Sequence, residues 1–314
     1  MEKELRDQVV MYGVWHGRRR SYEEKTGFLN GLAMDFGELG MPVSLLEDKP
    51  SRTRDLIAGD IEKAGVCVIS HYDTPQNLMS RFFHLFPFDR RQTALYARRA
   101  QSARLYFAAI AGFLPVAGGI VCYLRALPVW SVVLCSLLAA VGLAYLTLAI
   151  RGGGNRCNFN ENDIAAVVAL RAAAAMDEAT RSRMAFVFLD NHYSGFKGEK
   201  LLIGQYRTPL AGKHGVVLEA VACGQKLFVA GSVPQREKMA SLSCCPDKTE
   251  IYERPVENIG PALASCVKLS AGRRVGENVV TDGTRTPADM DYDPELMQCV
   301  SQMLAAYSKK IICD

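Results

Sequence analysis

The stretch that decides the architecture runs from Leu105 to Ile150, LYFAAIAGFLPVAGGIVCYLRALPVWSVVLCSLLAAVGLAYLTLAI, and Arg125 is its only charged residue. Leu105–Leu124 and Ala126–Ile150 each reach or exceed the roughly 20 apolar residues that a helix needs to cross about 30 Å of hydrocarbon. Between them, Arg125-Ala-Leu-Pro128 supplies a polar break and a proline, which favours a hairpin of two spans over one bent helix. A hairpin buried inside a soluble domain is the competing expectation, but such helices seldom run this far without a charge. Arg81, Arg90, Arg91, Arg98, Arg99 and Arg104 crowd the approach to the first span, and Arg151 and Arg156 follow the second. The positive-inside rule then predicts a two-pass protein of the cell membrane, with its soluble segments and both termini in the cytoplasm. The lipid bilayer is the first expected partner, and the arginine-rich approach is suited to anionic headgroups.

Outward from the hairpin, the chain has 314 residues, 49% of them hydrophobic and 22% charged, enough to build a full core on either side of an insertion. The expected organisation is one split α/β domain, residues 1–103 and 151–314, interrupted by residues 104–150. The net charge of +4 is modest and concentrated beside the hairpin, which is not the footprint of a nucleic-acid-binding protein. The ten cysteines have no metal-finger spacing, and Met1–Asp35 has no secretory pattern; reduced thiols are expected, including the adjacent Cys244 and Cys245.

The flanking segments alternate between strand and helix signals. Val66–Ser70 is a short apolar run ending at His71-Tyr-Asp73, Met184–Leu189 ends at Asp190-Asn-His192, and Gly215–Leu218 ends at Glu219. Leu227–Ala230 looks like a further strand. Helical patterns cover Glu23–Phe36 and Ile164–Met176, and Asp293-Pro-Glu295 caps a final helix toward Lys309. These signals predict a mostly parallel mixed sheet with helices on both faces. In such sheets ligands bind beyond the carboxyl ends of strands, so His71, Asp73, Asp190, His192 and Glu219 are candidates to converge. A histidine with two or three carboxylates suits zinc, and Asp73 could orient His71 from behind. Each residue also fits an ordinary role: Asp163 as a helix cap, Glu219 as a solvated residue after a strand, and each histidine as a hydrogen-bonded loop residue. His16, His84 and His214 have no carboxylate pattern around them. Gly152-Gly-Gly154 lacks the Lys-Ser or Lys-Thr of a phosphate loop.

Taken in order, His71-Tyr-Asp73-Thr-Pro75, Asn160-Glu-Asn-Asp163, Phe186-Val-Phe-Leu-Asp190-Asn with Gly195-Phe-Lys-Gly198, Val216-Val-Leu-Glu219, and Arg285-Thr-Pro-Ala-Asp289 with Asp293-Pro-Glu-Leu296 resemble the zinc aminopeptidases of family M28. The resemblance spans most of residues 50–310. The chain is similar to bacterial members that carry a membrane hairpin between the first and second ligand motifs, and the resemblance implies the zinc-aminopeptidase fold. It also implies that Asp163 is the metal-bridging aspartate, with His71 and Glu219 completing one zinc site.

The other half departs from the family: its Glu-Glu pair, which supplies the general base and a metal ligand, is His192-Tyr193. Its late histidine becomes Arg285. A guanidinium at that place would pair with Asp163 and exclude a second cation. His192 could serve as base or bind the metal, whereas a neutral phenol at Tyr193 is a poor zinc ligand. Thr286-Pro-Ala-Asp289 could equally begin a helix. The expectation is a membrane-anchored relative with lost or reduced peptidase activity, at most one zinc ion, and a site for a peptide substrate or ligand. The alternative is an active one-zinc hydrolase at the cytoplasmic face.

Overall fold

Apolar runs of five or six residues, buried at nearly every position, form the centre of a nine-stranded sheet. The computed structural model describes residues 2–76, 78, 83–126, 128–151, 155–256, 263, 265–286 and 289–313. Arg81, the run Gly152–Gly154, and Pro287 and Ala288 of the closing motif lie outside the described residues. The strands are β1 (Val43–Asp48), β2 (Thr53–Gly59), β3 (Val66–His71), β4 (Met184–Leu189), β5 (His214–Leu218), β6 (Lys226–Gly231), β7 (Thr249–Tyr252), β8 (Ser265–Val275) and β9 (Asn278–Val280). Their spatial order is β1-β2-β4-β3-β5-β8-β6-β7, with β9 against β8. Strands β4, β3, β5 and β8 are mutually parallel, while β2 joins β4, and β6 joins β8, in antiparallel fashion.

Parallel strands are buried when helices cover both faces, and the side chains here alternate accordingly. Val66 and Val68 of β3, with Met184, Phe186 and Phe188 of β4, point into the larger core. That core is shared with α1 (Glu2–Val9), α2 (Tyr22–Glu38), α5 (Ile164–Ala175) and α9 (Pro294–Cys313). Cys67 and Ile69, with Ala185, Val187 and Leu189, point the other way, against Leu202 and Leu210 of α7 (Lys197–Ala211). Short helices α6 (Glu178–Arg181) and α8 (Val233–Ala240) complete the layers. Local signals act where expected: Ser21 and Glu24 form a reciprocal capping box at α2. The Asp293 carboxylate accepts the Glu295 and Leu296 N–H groups at the start of α9.

The apolar insertion is a helical hairpin of α3 (Arg90–Leu124) and α4 (Val129–Arg151), both long and apolar enough to cross a membrane. Its large side chains are mostly exposed, Phe113, Leu114, Leu137 and Val141 among them, so it is not the buried hairpin of a soluble core. The helices meet through small residues: a Cβ on Gly142 would lie 2.1 Å from the Ala111 carbonyl oxygen and 2.7 Å from Gly112 Cα. Helix α3 begins well before residue 104. Its first turns belong to the α/β body, where Ala100 packs with Leu78, Phe83, Leu85 and Ala220.

Candidate functional site

Strand β3 lies between β4 and β5 in parallel, so the three carboxyl ends open onto one edge. His71 closes β3 opposite Leu189, and the next turns deliver His192 and Glu219 to it. Asn191, Phe196, Ala220 and Arg285 all take left-handed backbone conformations, with φ between 50° and 57°, where bulky L-residues are uncommon. Strain of this kind collects where a chain must aim side chains at one point. One atom each of His71, His192 and Glu219 lies within 4.8 Å of the others, and the two imidazoles stack at 4.2 Å between centroids. Beside them Tyr193 Oη is 2.8 Å from His71 Nε2 and donates to Glu161 Oε1 at 2.7 Å. Arg285 clamps the same Glu161 through Nε at 2.9 and 3.2 Å, and its guanidinium lies 4.5 Å from the Tyr193 ring centroid.

Three placements, those of Asp163, Asp73 and Asp190, correct the sequence expectation. Asp163 is not with His71 and Glu219: fully buried, it pairs with Arg19, while Glu161 pairs with Arg285 and reaches His71 only through the Tyr193 hydroxyl. The cause is helical phase. Residues 159–163 form a widened turn in which the Asp163 N–H donates to the Asn158 carbonyl, and side chains two positions apart on a helical turn do not face the same way. Arg285 accordingly pairs with Glu161 rather than Asp163. Asp73 is the second correction. Among the described residues it makes no hydrogen bond to His71; its Oδ2 accepts the Tyr193 N–H at 3.2 Å, and its Oδ1 is buried without a partner. Asp190 holds Lys25 instead of entering the cluster.

Reading the sequence misses Lys268, which sits mid-strand on β8, buried, with its ammonium on Glu219 and on the Pro87 carbonyl. Its only signal is a charge inside an apolar run. Glu199 and Arg90 also escape a reading of motifs. Glu199 Oε1 lies 3.2 Å from His192 Nδ1, without hydrogen-bond alignment, and 3.0 Å from Arg90.

The electrostatics follow from these pairings. Burial, reinforced by His192, Lys268, Arg285 and Arg90, holds His71 well below the usual imidazole range and therefore neutral. Burial would raise Glu219, yet Lys268 and His192 outweigh it and keep the carboxylate ionised. Burial and Glu161 push the Tyr193 phenol well above its ordinary value, so it remains a neutral donor. Arg285 stays charged because Glu161 offsets its burial.

A cavity of about 40 Å³ opens on His71, His192, Glu219 and Lys268, and Ile69, Leu189, Leu202 and Val217 give the rest of its wall an apolar character. A wider cleft of about 650 Å³ lies on the other side of Tyr193, bounded by Lys25, Asp73, Arg285 and, from α3, Arg98 and Gln101.

No family model and no curated relative matches the sequence. Solved structures do. The Legionella pneumophila LapA aminopeptidase superposes with a TM-score of 0.55 over 99% of this chain and 71% of that one, at 9% identity. The Fimbriiglobus ruber glutaminyl cyclase gives 0.51 over 97% and 92%, at 12% identity. The fold is aminopeptidase-like. At such identity the likeness extends to the fold alone, and membership of M28 in particular does not follow from it.

In this aminopeptidase-like setting, two imidazoles and a carboxylate match a catalytic zinc site by donor type. They do not match by charge. Glu219 already holds an ammonium, a hydroxyl engages His71 Nε2, and Arg285 stands in the adjoining half. A divalent ion would have to displace Lys268.

Proposed function

We propose that this chain is a two-pass, membrane-anchored protein that retains the aminopeptidase-like fold while its centre has lost or greatly reduced peptidase activity. One observation carries the proposal: Glu161 and Glu219 are each neutralised by a buried cation of the chain itself, Arg285 and Lys268 respectively. Metal-dependent peptide hydrolysis needs an ion that polarises the carbonyl, a water it activates, and a base positioned for that water. Here the metal's electrostatic role is taken by fixed side chains that offer no coordination position for water. The base position holds His192, stacked on His71.

What persists is the cleft beside Tyr193, suited to a peptide ligand and placed next to the arginine-rich turns that precede the membrane span. A binding or regulatory module at the cytoplasmic membrane face follows. A one-zinc hydrolase is the second reading, favoured by the proximity of His71, His192 and Glu219 alone.

Elemental analysis of the detergent-purified full chain, with a panel of aminopeptidase substrates, separates the two. We expect no hydrolysis and no zinc that His71→Ala removes, with zinc uptake rising in Lys268→Ala because Glu219 is freed. One zinc per wild-type chain, lost together with hydrolysis in His71→Ala, would sink the proposal.

A further inference from the structure

On the opposite face of the sheet from His71, the fold gathers three thiols that the sequence keeps far apart. His71 shares its side of β3 with Cys67 and Ile69, whereas Cys299 belongs to the larger core with Val66 and Val68. The loop after α8 brings Cys244 and Cys245 against Cys299 of α9, and the three sulfurs lie within 4.8 Å of one another. Cys244 Sγ and Cys245 Sγ are 4.0 Å apart. Cys299 and Met303 are four positions apart on α9, which stacks them on one helical face, and Cys299 Sγ is 3.8 Å from Met303 Sδ.

We propose that Cys244, Cys245 and Cys299 form a binding site for a soft thiophilic d10 metal ion, with the Met303 thioether as a fourth sulfur. Metal–sulfur bonds of about 2.3 Å in a trigonal or tetrahedral centre place ligand sulfurs about 4 Å from each other. The Cys244–Cys245 spacing already has that value, and the third thiol needs to approach by less than an ångström. Thiolates with a thioether select soft ions such as Zn(II) or Cu(I) over the hard Mg(II) and Ca(II). The loop is held ready by Ser243. Its hydroxyl accepts the Cys245 N–H at 3.1 Å and lies 2.6 Å from Thr249 Oγ1, which donates to the Cys245 carbonyl at 3.0 Å.

Access is graded: Cys244 is exposed, Cys245 half-buried and Cys299 buried, so an ion can enter from the surface and end beside the core. Burial and the Cys299 thiol raise Cys244 and Cys245 above the ordinary thiol range, so binding must release protons.

The test is anaerobic titration of the reduced, detergent-purified full chain with Cd(II), followed by ultraviolet absorption from thiolate-to-metal charge transfer. One equivalent is expected to saturate the band and to protect Cys244 and Cys245 from alkylation, as read by mass spectrometry. Cys244→Ser and Cys245→Ser should each weaken binding at least tenfold. Cys299→Ser should abolish the band, while Cys223→Ser and Cys266→Ser leave it unchanged. Cys244 is exposed, so its variant keeps the test valid even if Cys299→Ser fails to fold. Absence of the band, a band that survives all three substitutions, or a two-dalton mass loss marking a disulfide within the cluster overturns the proposal.

Discussion

Asp55 shows at the scale of one residue what it takes to keep this centre assembled. It is completely buried; its Oδ1 accepts the Asp190 N–H at 2.8 Å and its Oδ2 has no partner. Burial, with repulsion from Asp190, Asp73 and Glu199, pushes its carboxyl up to about 8 against the Asp190 hydrogen bond that lowers it. The folded state therefore binds this proton more tightly than the unfolded chain does. Its contribution to stability is complete below about pH 4, the unfolded value, and is lost as pH rises through about 8. Asp55→Asn keeps the acceptor and abolishes the titration. We expect the variant to unfold at nearly the wild-type temperature at pH 4 and to be more stable by on the order of 1–3 kcal/mol at pH 8; a difference independent of pH would refute this. The same scale marks the limit of what the sequence disclosed. His71, His192, Tyr193, Glu219 and Arg285 could be placed at one site because each follows a strand or a recognisable motif. Glu161 could not be told from Asp163, because two acidic groups in one short turn differ only by the phase of that turn. Lys268 showed only as a charge inside an apolar run, and its role stayed hidden because its partner lies after a different strand.

At the scale of elements, burial on two faces made β3, β4, β5 and β6 legible, since a short apolar run bounded by polar turns is too brief for a buried helix and fits a strand covered on both sides. Strand β1 escaped notice because its side chains are largely exposed or half-buried at the sheet edge, and β8 because Lys268, Arg273 and Arg274 break its apolar pattern. The hairpin was legible in its spans but not in its start, because the arginines before Leu105 are as compatible with helix as with loop. How α3 and α4 pack depended on residues with no side chain to betray them. In lipid, small residues let helix backbones approach closely, and Gly142 sits where a Cβ would strike the Ala111 carbonyl and Gly112 Cα. Gly142→Val must force the helices apart, costing on the order of 1–3 kcal/mol. Thermal unfolding in detergent should register the loss, whereas Gly204→Ala, inside α7 with open space around its Cβ, should leave stability unchanged or raise it by up to about 1 kcal/mol. Equal stability of Gly142→Val and wild type would mean that the two helices do not pack as described.

For the whole molecule, the question is whether the hairpin is an anchor or part of the body. Arg104 donates to the Leu148 carbonyl at 3.2 Å, so the chain leaves and re-enters the α/β body at nearly one point. Closing a short loop there costs little entropy. The turns Arg90–Arg104, by contrast, contribute Ala100 to a buried cluster and Arg90 to Glu199 beside His192. Replacing residues 105–147 with a short Gly-Ser linker should therefore move the protein from the membrane fraction to the soluble fraction and leave it cooperatively folded. Extending the deletion back to Arg90 should remove the Glu199 partner and the packing around Ala100, leaving an unstable or aggregating product. Fractionation with thermal unfolding distinguishes the cases. If the shorter deletion also fails to fold, the hairpin is structural to the body and its exposed apolar faces are not those of a dispensable anchor. If it folds but stays with the membrane, the arginines before Leu105 bind the bilayer without any span, and two-pass anchoring would have to be abandoned for surface attachment.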